Sequence, residues 1–306
     1  MKIAFLHAWE LDTFNPSPKG RDKNFIGDEA VSIAFSKYLL RNHGIECGRH
    51  IDSTMPVNVY DVAVELNYRL NTGCYAKKNI WYCQNGFPEG SEVAFENNAG
   101  RYDGIMIAGR KLYEIYKDYV TRSGHKPIYL PVATDVEDFK PLINEEFTFD
   151  LAYCGNDTKG DSINSMLKPC LDYNFALYGR WLDPFWFNVS RGQISMDNLV
   201  KVYSSTKYLI NIHYFDCLNY GLYTGRLYDI MACNGVVITD NAYGLDEFLE
   251  GSEYHIVGDK GELKMLLSHL ISKGKPKNNN RKWIIKNKHT YEDRAETMLE
   301  YIKEIL

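Results

Sequence analysis

The chain has no apolar run long enough to cross a bilayer, which takes about twenty residues. Its seven cysteines are scattered, and none stands in a CxxC pair. An odd number of unpaired cysteines is typical of reduced thiols and argues against a disulfide framework or a zinc site. The first residues, MKIAFLHAWELD, hold only a short apolar run that ends in charge, so no export signal is predicted. We therefore expect a cytoplasmic protein with no transmembrane segment.

Several motifs that bind nucleotides or metals are also missing. No GxGxxG follows the first predicted strand, where LHAWE stands at residues 6–10, and this argues against an NAD-dependent oxidoreductase. The sequence has no P-loop and no DxD-type pair at a strand end, so we predict neither a cofactor nor a bound metal ion. No Lys/Arg cluster is long enough to follow a phosphate backbone, and the net charge is −5. Nucleic acid is therefore disfavoured as a partner.

What is present is the pattern of an ordinary globular protein with two domains. The chain has 306 residues, 45% hydrophobic and 25% charged, and this length exceeds what one core usually supports. Short strand-like runs alternate with amphipathic helical segments in two series, before and after a proline-bounded polar segment at residues 131–141. This alternation predicts an α/β protein with two Rossmann-like, doubly wound domains. We place the first domain at residues 1–135 and the second at residues 136–289.

The segment GLYTGRLYDIMACNGVVITDN, at residues 221–241, combines a helix start, a helix and a buried strand. Thr224 and Gly225 suit the N-cap of a helix that begins near Arg226, because a hydroxyl there satisfies N–H groups that the first turn leaves unpaired. The strand at residues 236–239 is apolar and reads as buried on both faces. An anion would bind well at this helix N-terminus, beside the charge of Arg226.

This segment resembles the donor site of the two-domain glycosyltransferases of the GT-B fold. The resemblance rests on RLYDIMACNG at residues 226–235, TD at 239–240 and GLDEFL at 244–249, and is closest to the group 1 type that includes the spore-maturation-protein-like transferases. It implies that Asp229 holds the ribose of a nucleotide sugar and that Arg226 faces its diphosphate. Related mannosyltransferases carry two glutamates separated by seven residues. Here Asp229 takes the second place and Gly221 the first.

The resemblance also predicts the rest of the donor site. Related transferases have a glycine loop with a basic residue before a glycine after the first strand of the second domain, and Lys159 matches that basic residue, although a solvated loop lysine is the structural alternative. A turn in the family lies along the nucleobase, where Ile194 stands here, and Arg180 follows a strand at the edge that binds ligands. The predicted donor-binding residues are Gly155, Asn156, Lys159, Arg180, Ile194, Tyr223, Thr224, Gly225, Arg226 and Asp229.

The first domain is expected to bind the acceptor. Asp28 and Glu29 stand at a helix start, where either one acts as a base on the acceptor hydroxyl or simply caps the helix. His7 ends the first strand, a place where a lone histidine is more often structural than catalytic. The predicted acceptor-binding residues are His7, Gly27, Gln84 and Asn85, and the predicted catalytic residues are Asp28, Glu29, Lys159 and Arg226. The C-terminal helix, at residues 290–306, is expected from the resemblance to cross back onto this domain.

We predict a glycosyltransferase that moves a sugar from a nucleotide-diphosphate sugar, UDP-linked rather than GDP-linked, to a glycan, lipid-linked or other small acceptor. Retention of the anomeric configuration follows only from the resemblance. One alternative is a nucleotide-sugar epimerase of the same layout, which would need carboxylates facing the donor sugar. Another is a degenerate transferase kept as a binding subunit, which Gly221 in place of a glutamate leaves open.

Overall fold

The protein, in a computed structural model, is described over residues 1–7, 27–51, 55–66, 76–84, 99–122, 124–157 and 161–306. The strands of these ranges are β1 (Ile3–His7), β2 (Cys47–Ile51), β3 (Val62–Glu65), β4 (Lys78–Cys83), β5 (Gly104–Ile107), β6 (Pro127–Tyr129), β7 (Leu151–Cys154), β8 (Phe175–Tyr178), β9 (Tyr208–Asn211), β10 (Val237–Asp240) and β11 (Tyr254–Val257). The helices are α1 (Gly27–His43), α2 (Arg110–Arg122), α3 (Asp161–Leu167), α4 (Met196–Ser205), α5 (Phe215–Tyr220), α6 (Gly225–Ala232), α7 (Leu245–Phe248), α8 (Lys260–Leu270), α9 (Asn280–Lys286) and α10 (Tyr291–Ile305).

These strands form two parallel sheets. The first has the order β2-β1-β3-β4-β5-β6 and the second the order β11-β10-β9-β7-β8. Every recorded pairing between strands is parallel. Since parallel strands must be joined by crossovers that cover the sheet, inner strands such as β3 and β5 are buried along their whole length rather than at alternate positions. The predicted α/β class with two Rossmann-like domains is confirmed.

The second sheet is covered by helices on both faces. Alternate residues of β7 point to opposite sides, so that Ala152 joins a core with α4 and α6 while Leu151 joins a core with α3 and α8. Both residues are fully buried. Burial on both faces explains why the strands of this half read as near-continuous apolar runs, and it makes the half doubly wound.

The C-terminal helix α10 belongs to the core of the first sheet, as predicted. Met298, Leu299 and Ile302 pack in the same cluster as Phe35 and Tyr38 of α1. The N-terminus of α10 is capped by Thr290, whose hydroxyl accepts a hydrogen bond from the N–H of Asp293 at 3.2 Å. The Thr290 cap and the apolar face of α10 therefore place the end of the chain against the first half of the molecule.

The polar segment at residues 131–141 is held from both sides. Asp135 accepts hydrogen bonds from Tyr38 at 2.9 Å and Lys37 at 2.8 Å, both on α1. Arg281 of α9 donates to the carbonyl oxygens of Val136 at 2.8 Å and Phe139 at 2.7 Å. The segment is thus tied to both halves, and a domain boundary at residue 135 stays a prediction. None of the helices in the ranges described above is both long and apolar enough to span a membrane.

Candidate active site

The candidate donor site lies where the strand order of the second sheet reverses. The chain moves from β7 to β8 on one side and then to β9 on the other, so a crevice opens at the carboxyl ends of β7 and β9. Gly155 follows β7, and Asn211 ends β9. Open α/β sheets bind ligands at such a point. The sequence-predicted donor residues Gly155 and Arg226 meet at this crevice.

Arg226 is the cation at this crevice. Its guanidinium lies 4.7 Å from the centre of the Tyr153 ring on β7, an arrangement in which the ring face attracts the charge. Its Nη1 atom is buried and has no hydrogen-bond partner in the described part of the chain. Gly155 makes the approach possible, because a Cβ atom there would lie 2.5 Å from Nη2. A buried guanidinium is costly unless an anion meets it, and a diphosphate is such an anion.

Helix α6 begins beside this cation, with Thr224 as its N-cap residue. The Thr224 hydroxyl donates a hydrogen bond to Asn211 Oδ1 at 2.8 Å, and it makes no cap hydrogen bond to the helix. The prediction that Thr224 satisfies the first turn of this helix is therefore wrong: the hydroxyl is turned to a strand end instead. The N–H groups of Gly225 and Arg226, in the first turn, have no side-chain acceptor within the described ranges and so suit an anion.

Asp229 lies one turn after Arg226 on α6. Its Oδ1 accepts a hydrogen bond from the Thr134 hydroxyl at 2.7 Å, so the carboxyl meets the segment between the two halves. Burial raises the pKa of Asp229 to about 8, against the hydrogen bond from Thr134, which lowers it. A carboxyl with this pKa changes protonation near neutral pH. Its predicted contact with ribose stays a prediction.

The loop after β7 is tied to the loop after β8. Asn156 Oδ1 accepts from the backbone N–H of Arg180 at 2.9 Å, and Gly155 N–H donates to the carbonyl of Tyr178 at 2.9 Å. The Arg180 side chain is exposed, and Gly179 has a φ of 127°, with no room for a side chain because a Cβ atom there would lie 2.3 Å from the Gly155 carbonyl oxygen. Asn156 therefore holds the loop in shape. Lys159, the predicted partner of Arg226, lies outside the described residues.

Three further donor-side positions have clear local environments. Tyr223 is buried, and its hydroxyl donates to the carbonyl of Tyr243 at 3.0 Å. Ile194 is partly buried against the core that contains α4. Gly221, at the place of the missing glutamate, has a φ of 63°, and a Cβ atom there would lie 2.9 Å from the Tyr243 carbonyl oxygen. Backbone geometry thus excludes a side chain at residue 221.

The acceptor-side candidates stand at the carboxyl edge of the first sheet. His7 is buried with a pKa lowered to about 4, mainly by burial and then by Arg49. Asp28, in the first turn of α1, has a pKa raised to about 6 by burial, and its neighbour Glu29 is also buried. Gln84 follows β4, and its Nε2 atom is buried without a hydrogen-bond partner among the described residues. Gly27 begins α1.

Asn85 falls outside the described ranges. The roles proposed for the other acceptor-side residues stay predictions. Burial has brought the pKa of Asp28 towards neutral pH, which is the property that a general base requires.

Sequence reasoning missed a buried polar group at the ends of β9 and β10. Asn211, His213, Thr239 and Asp240 are all nearly inaccessible to solvent and are linked by hydrogen bonds. The sequence does contain a pattern that predicts this group, because polar residues end or closely follow two apolar strands. Because carboxyl ends of neighbouring parallel strands meet at one edge, such residues are expected to lie together. They lie beside the start of α6.

Comparison with solved structures defines the class of fold. The chain is similar to a sucrose-phosphate synthase from Thermosynechococcus elongatus, with a TM-score of 0.65 and 11% identity over 99% of this chain and 98% of that one. It is also similar to HepE of Anabaena in complex with UDP and glucose, with a TM-score of 0.63 and 13% identity over 99% of both chains. The T4 phage enzyme BGT in complex with UDP-glucose gives a TM-score of 0.58 and 14% identity over 99% of both chains. The fold is that of the GT-B glycosyltransferases.

A family model agrees with this fold. Residues 162–300, which include the crevice residues Asn211, Thr224, Arg226 and Asp229, match the family described as Glycosyl transferase-like. No curated protein matches the chain. The fold is therefore GT-B, and residues 162–300 are similar to the Glycosyl transferase-like family. The narrower resemblance to the spore-maturation-protein-like branch stays a prediction.

Proposed function

We propose that the protein transfers a sugar from a UDP-sugar, and that Arg226, the N-terminus of α6 and Lys159 hold the diphosphate. One observation carries the proposal: a partly buried guanidinium, whose Nη1 has no hydrogen-bond partner among the described residues, lies beside a helix start that the side chain of Thr224 does not cap, at the reversal point of the second sheet. Both features favour a bound anion. The UDP complexes of the structural neighbours HepE and BGT support the choice of nucleotide.

In the proposed reaction, the residues at the carboxyl edge of each sheet have different roles. When the bond between the sugar C1 and the β-phosphate oxygen breaks, its electron pair stays with the phosphate, and Arg226 stabilises the growing negative charge. The acceptor oxygen bonds to C1 on the face from which the phosphate leaves, as retention requires, and gives up its proton to a base, for which Asp28 and Glu29 are the candidates. Asp229 binds the ribose. Retention of configuration, a small glycan or lipid-linked acceptor and a cytoplasmic location are further parts of this proposal.

The proposal is tested by incubating the purified protein with a panel of UDP- and GDP-linked sugars and measuring the nucleotide diphosphate released. We expect release of UDP, because the proposed site stabilises a leaving diphosphate. Proton NMR of the product then reports the anomeric configuration. If no nucleotide sugar is turned over, and none raises the melting temperature of the protein, the proposal of a donor site at Arg226 is wrong. Binding of UDP-sugars without turnover would instead favour a binding subunit.

A further inference from the structure

Thr134 connects the carboxyl of Asp229 to the segment between the two halves. Its hydroxyl donates a hydrogen bond to Asp229 Oδ1 at 2.7 Å, and within the described ranges no other group donates to this carboxyl. Thr134 is completely buried, so water does not compete for its hydroxyl. The orientation of the Asp229 carboxyl therefore depends on this one hydrogen bond.

Thr134 is itself fixed by the first half of the molecule. Its backbone N–H donates to the carbonyl of His289 at 3.3 Å, and its own carbonyl accepts from the N–H of Tyr291 at 3.0 Å. These bonds tie it to the start of α10, whose apolar face packs in the core of the first sheet. The next residue, Asp135, is hydrogen-bonded to α1. The first half thus sets the position of the Thr134 hydroxyl, whereas Asp229 stands on α6 of the second half.

The hydrogen bond from Thr134 leaves the carboxyl most of its capacity to accept. An ionised carboxylate has about four acceptor sites on its two oxygens, and Thr134 takes one of them. Burial raises the pKa of Asp229 to about 8, and the hydrogen bond from Thr134 acts against this rise, so Thr134 favours the ionised form. An oriented carboxylate with further acceptor sites suits the neighbouring 2′ and 3′ hydroxyls of a ribose, since each of them can donate.

We propose that Thr134 is a positioning residue for the donor: its hydroxyl orients the Asp229 carboxylate towards the ribose hydroxyls. This inference rests on the proposed function, because it gives an orienting partner to the carboxyl that binds the ribose. The ribose is then recognised by a pair of residues drawn from both halves. The donor is gripped fully only when the two halves stand close enough for Thr134 to reach α6.

The test compares UDP with 2′,3′-dideoxy-UDP, which lacks both ribose hydroxyls, by calorimetric titration. The ratio of the two dissociation constants reports the ribose contacts alone, because the base and the diphosphate are the same. The wild-type protein should bind UDP about tenfold more tightly. Thr134→Val removes the hydroxyl at nearly constant volume and should lower this ratio about fivefold, the effect of about one hydrogen bond. Thr134→Ser, which keeps the hydroxyl, should restore the ratio.

Thr290→Val is the matched control. Thr290 is paired with Thr134 across the same bridge, is also buried, and donates to the carboxylate of Asp293 at 2.6 Å. Its loss should lower the melting temperature and leave the ratio at the wild-type value. Both variants remove a buried threonine hydroxyl that is bonded to a carboxylate, so a difference between them is due to Asp229 and not to a general loss of stability.

A wild-type ratio in folded Thr134→Val, or an equal fall of the ratio in Thr290→Val, overturns the inference and leaves the proposed function standing. Equal affinity of the wild-type protein for the two nucleotides removes the ribose contact of Asp229 and the inference with it. Failure of the wild-type protein to bind UDP overturns the proposed function itself. If Thr134→Val does not fold, Thr134→Ala decides in the same way, because it lacks the hydroxyl and places no methyl branch against the carboxylate.

Discussion

The carboxyl edges of the two sheets differ in the kind of charge they present. At the first sheet, burial shifts His7 and Asp28 towards their neutral forms, with a pKa of about 4 and about 6 respectively. At the second sheet, the Arg226 guanidinium is permanently charged, and its Nη1 atom has no hydrogen-bond partner within the described ranges. The first edge therefore offers a carboxyl, Asp28, that can take up a proton near neutral pH, and the second offers a fixed cation that can stabilise a multiply charged leaving group. The proposed sugar transfer needs both.

The two edges also differ in how they hold a histidine. His7 Nε2 is buried without a partner in the described part of the chain, whereas His213 is bonded to Asp240 and Asn211. A partnered histidine keeps one tautomer and orients its neighbours, while a buried histidine with a free nitrogen can still bond a ligand. The difference suggests that the second edge is prearranged, and that the first is completed by the acceptor.

The largest effect is expected from removing the permanent charge. Arg226→Ala should lower kcat by about a hundredfold or more, because the charge that Arg226 meets grows as the glycosidic bond breaks. Steady-state kinetics over donor concentration measures this. Arg191→Ala is the matched control, since Arg191 is exposed and its guanidinium lies 4.9 Å from the centre of the Phe149 ring. A normal kcat in a folded Arg226→Ala protein would remove Arg226 from the leaving-group role.

A loss of activity of similar size is expected at the carboxyl edge of the first sheet if Asp28 is the general base. Its carboxylate forms as pH rises through about 6, so kcat/KM should rise with pH up to that value and level off above it. Asp28→Asn should remove this rise and lower kcat/KM at neutral pH by about a hundredfold, the lower range for a general base. The matched comparison is Glu29→Gln. If both variants keep the wild-type pH profile, these residues only support the start of α1.

A smaller effect is expected at Asp229. A carboxyl that bonds ribose hydroxyls grips the donor equally before and during the reaction, so Asp229→Ala should raise the apparent KM for the donor about tenfold, with kcat little changed. Asp229→Asn keeps an acceptor oxygen, so it should raise the apparent KM for the donor less than Asp229→Ala does. Circular dichroism and melting curves serve as the control for folding. A fall in kcat at unchanged KM would show that Asp229 acts in the chemical step instead.

The smallest effect is expected from a chelator. Basic side chains and a helix N-terminus meet the diphosphate in this proposal, so turnover in EDTA should equal turnover in buffer. The assay is UDP release after dialysis against EDTA, followed by addition of Mg²⁺ or Mn²⁺. Turnover that is lost in EDTA and recovered on adding a divalent ion would contradict the prediction that the donor site works without a metal ion.

Secondary structure followed from the sequence where a segment was buried. The apolar strand predicted at residues 236–239 agrees within one residue with β10, which is buried along its whole length. β2 was not predicted: CGRHI is a half-buried edge strand with charged and polar side chains, so it has neither an apolar run nor alternation. The six-residue helix α5 was missed because it is too short to show a helical period.

The sequence by itself determined the two α/β halves, the position of Arg226 at the start of a helix that precedes a buried strand, and the N-cap position of Thr224. These features depend on residue type and spacing along a short stretch of chain. Only the tertiary structure decided that the Thr224 hydroxyl turns to Asn211, that Asp229 meets Thr134, and that Gly155 admits the Arg226 guanidinium. Asp229 and Thr134 lie 95 residues apart in sequence. A hydroxyl or carboxyl chooses among all partners that folding brings near it, and no local pattern encodes that choice.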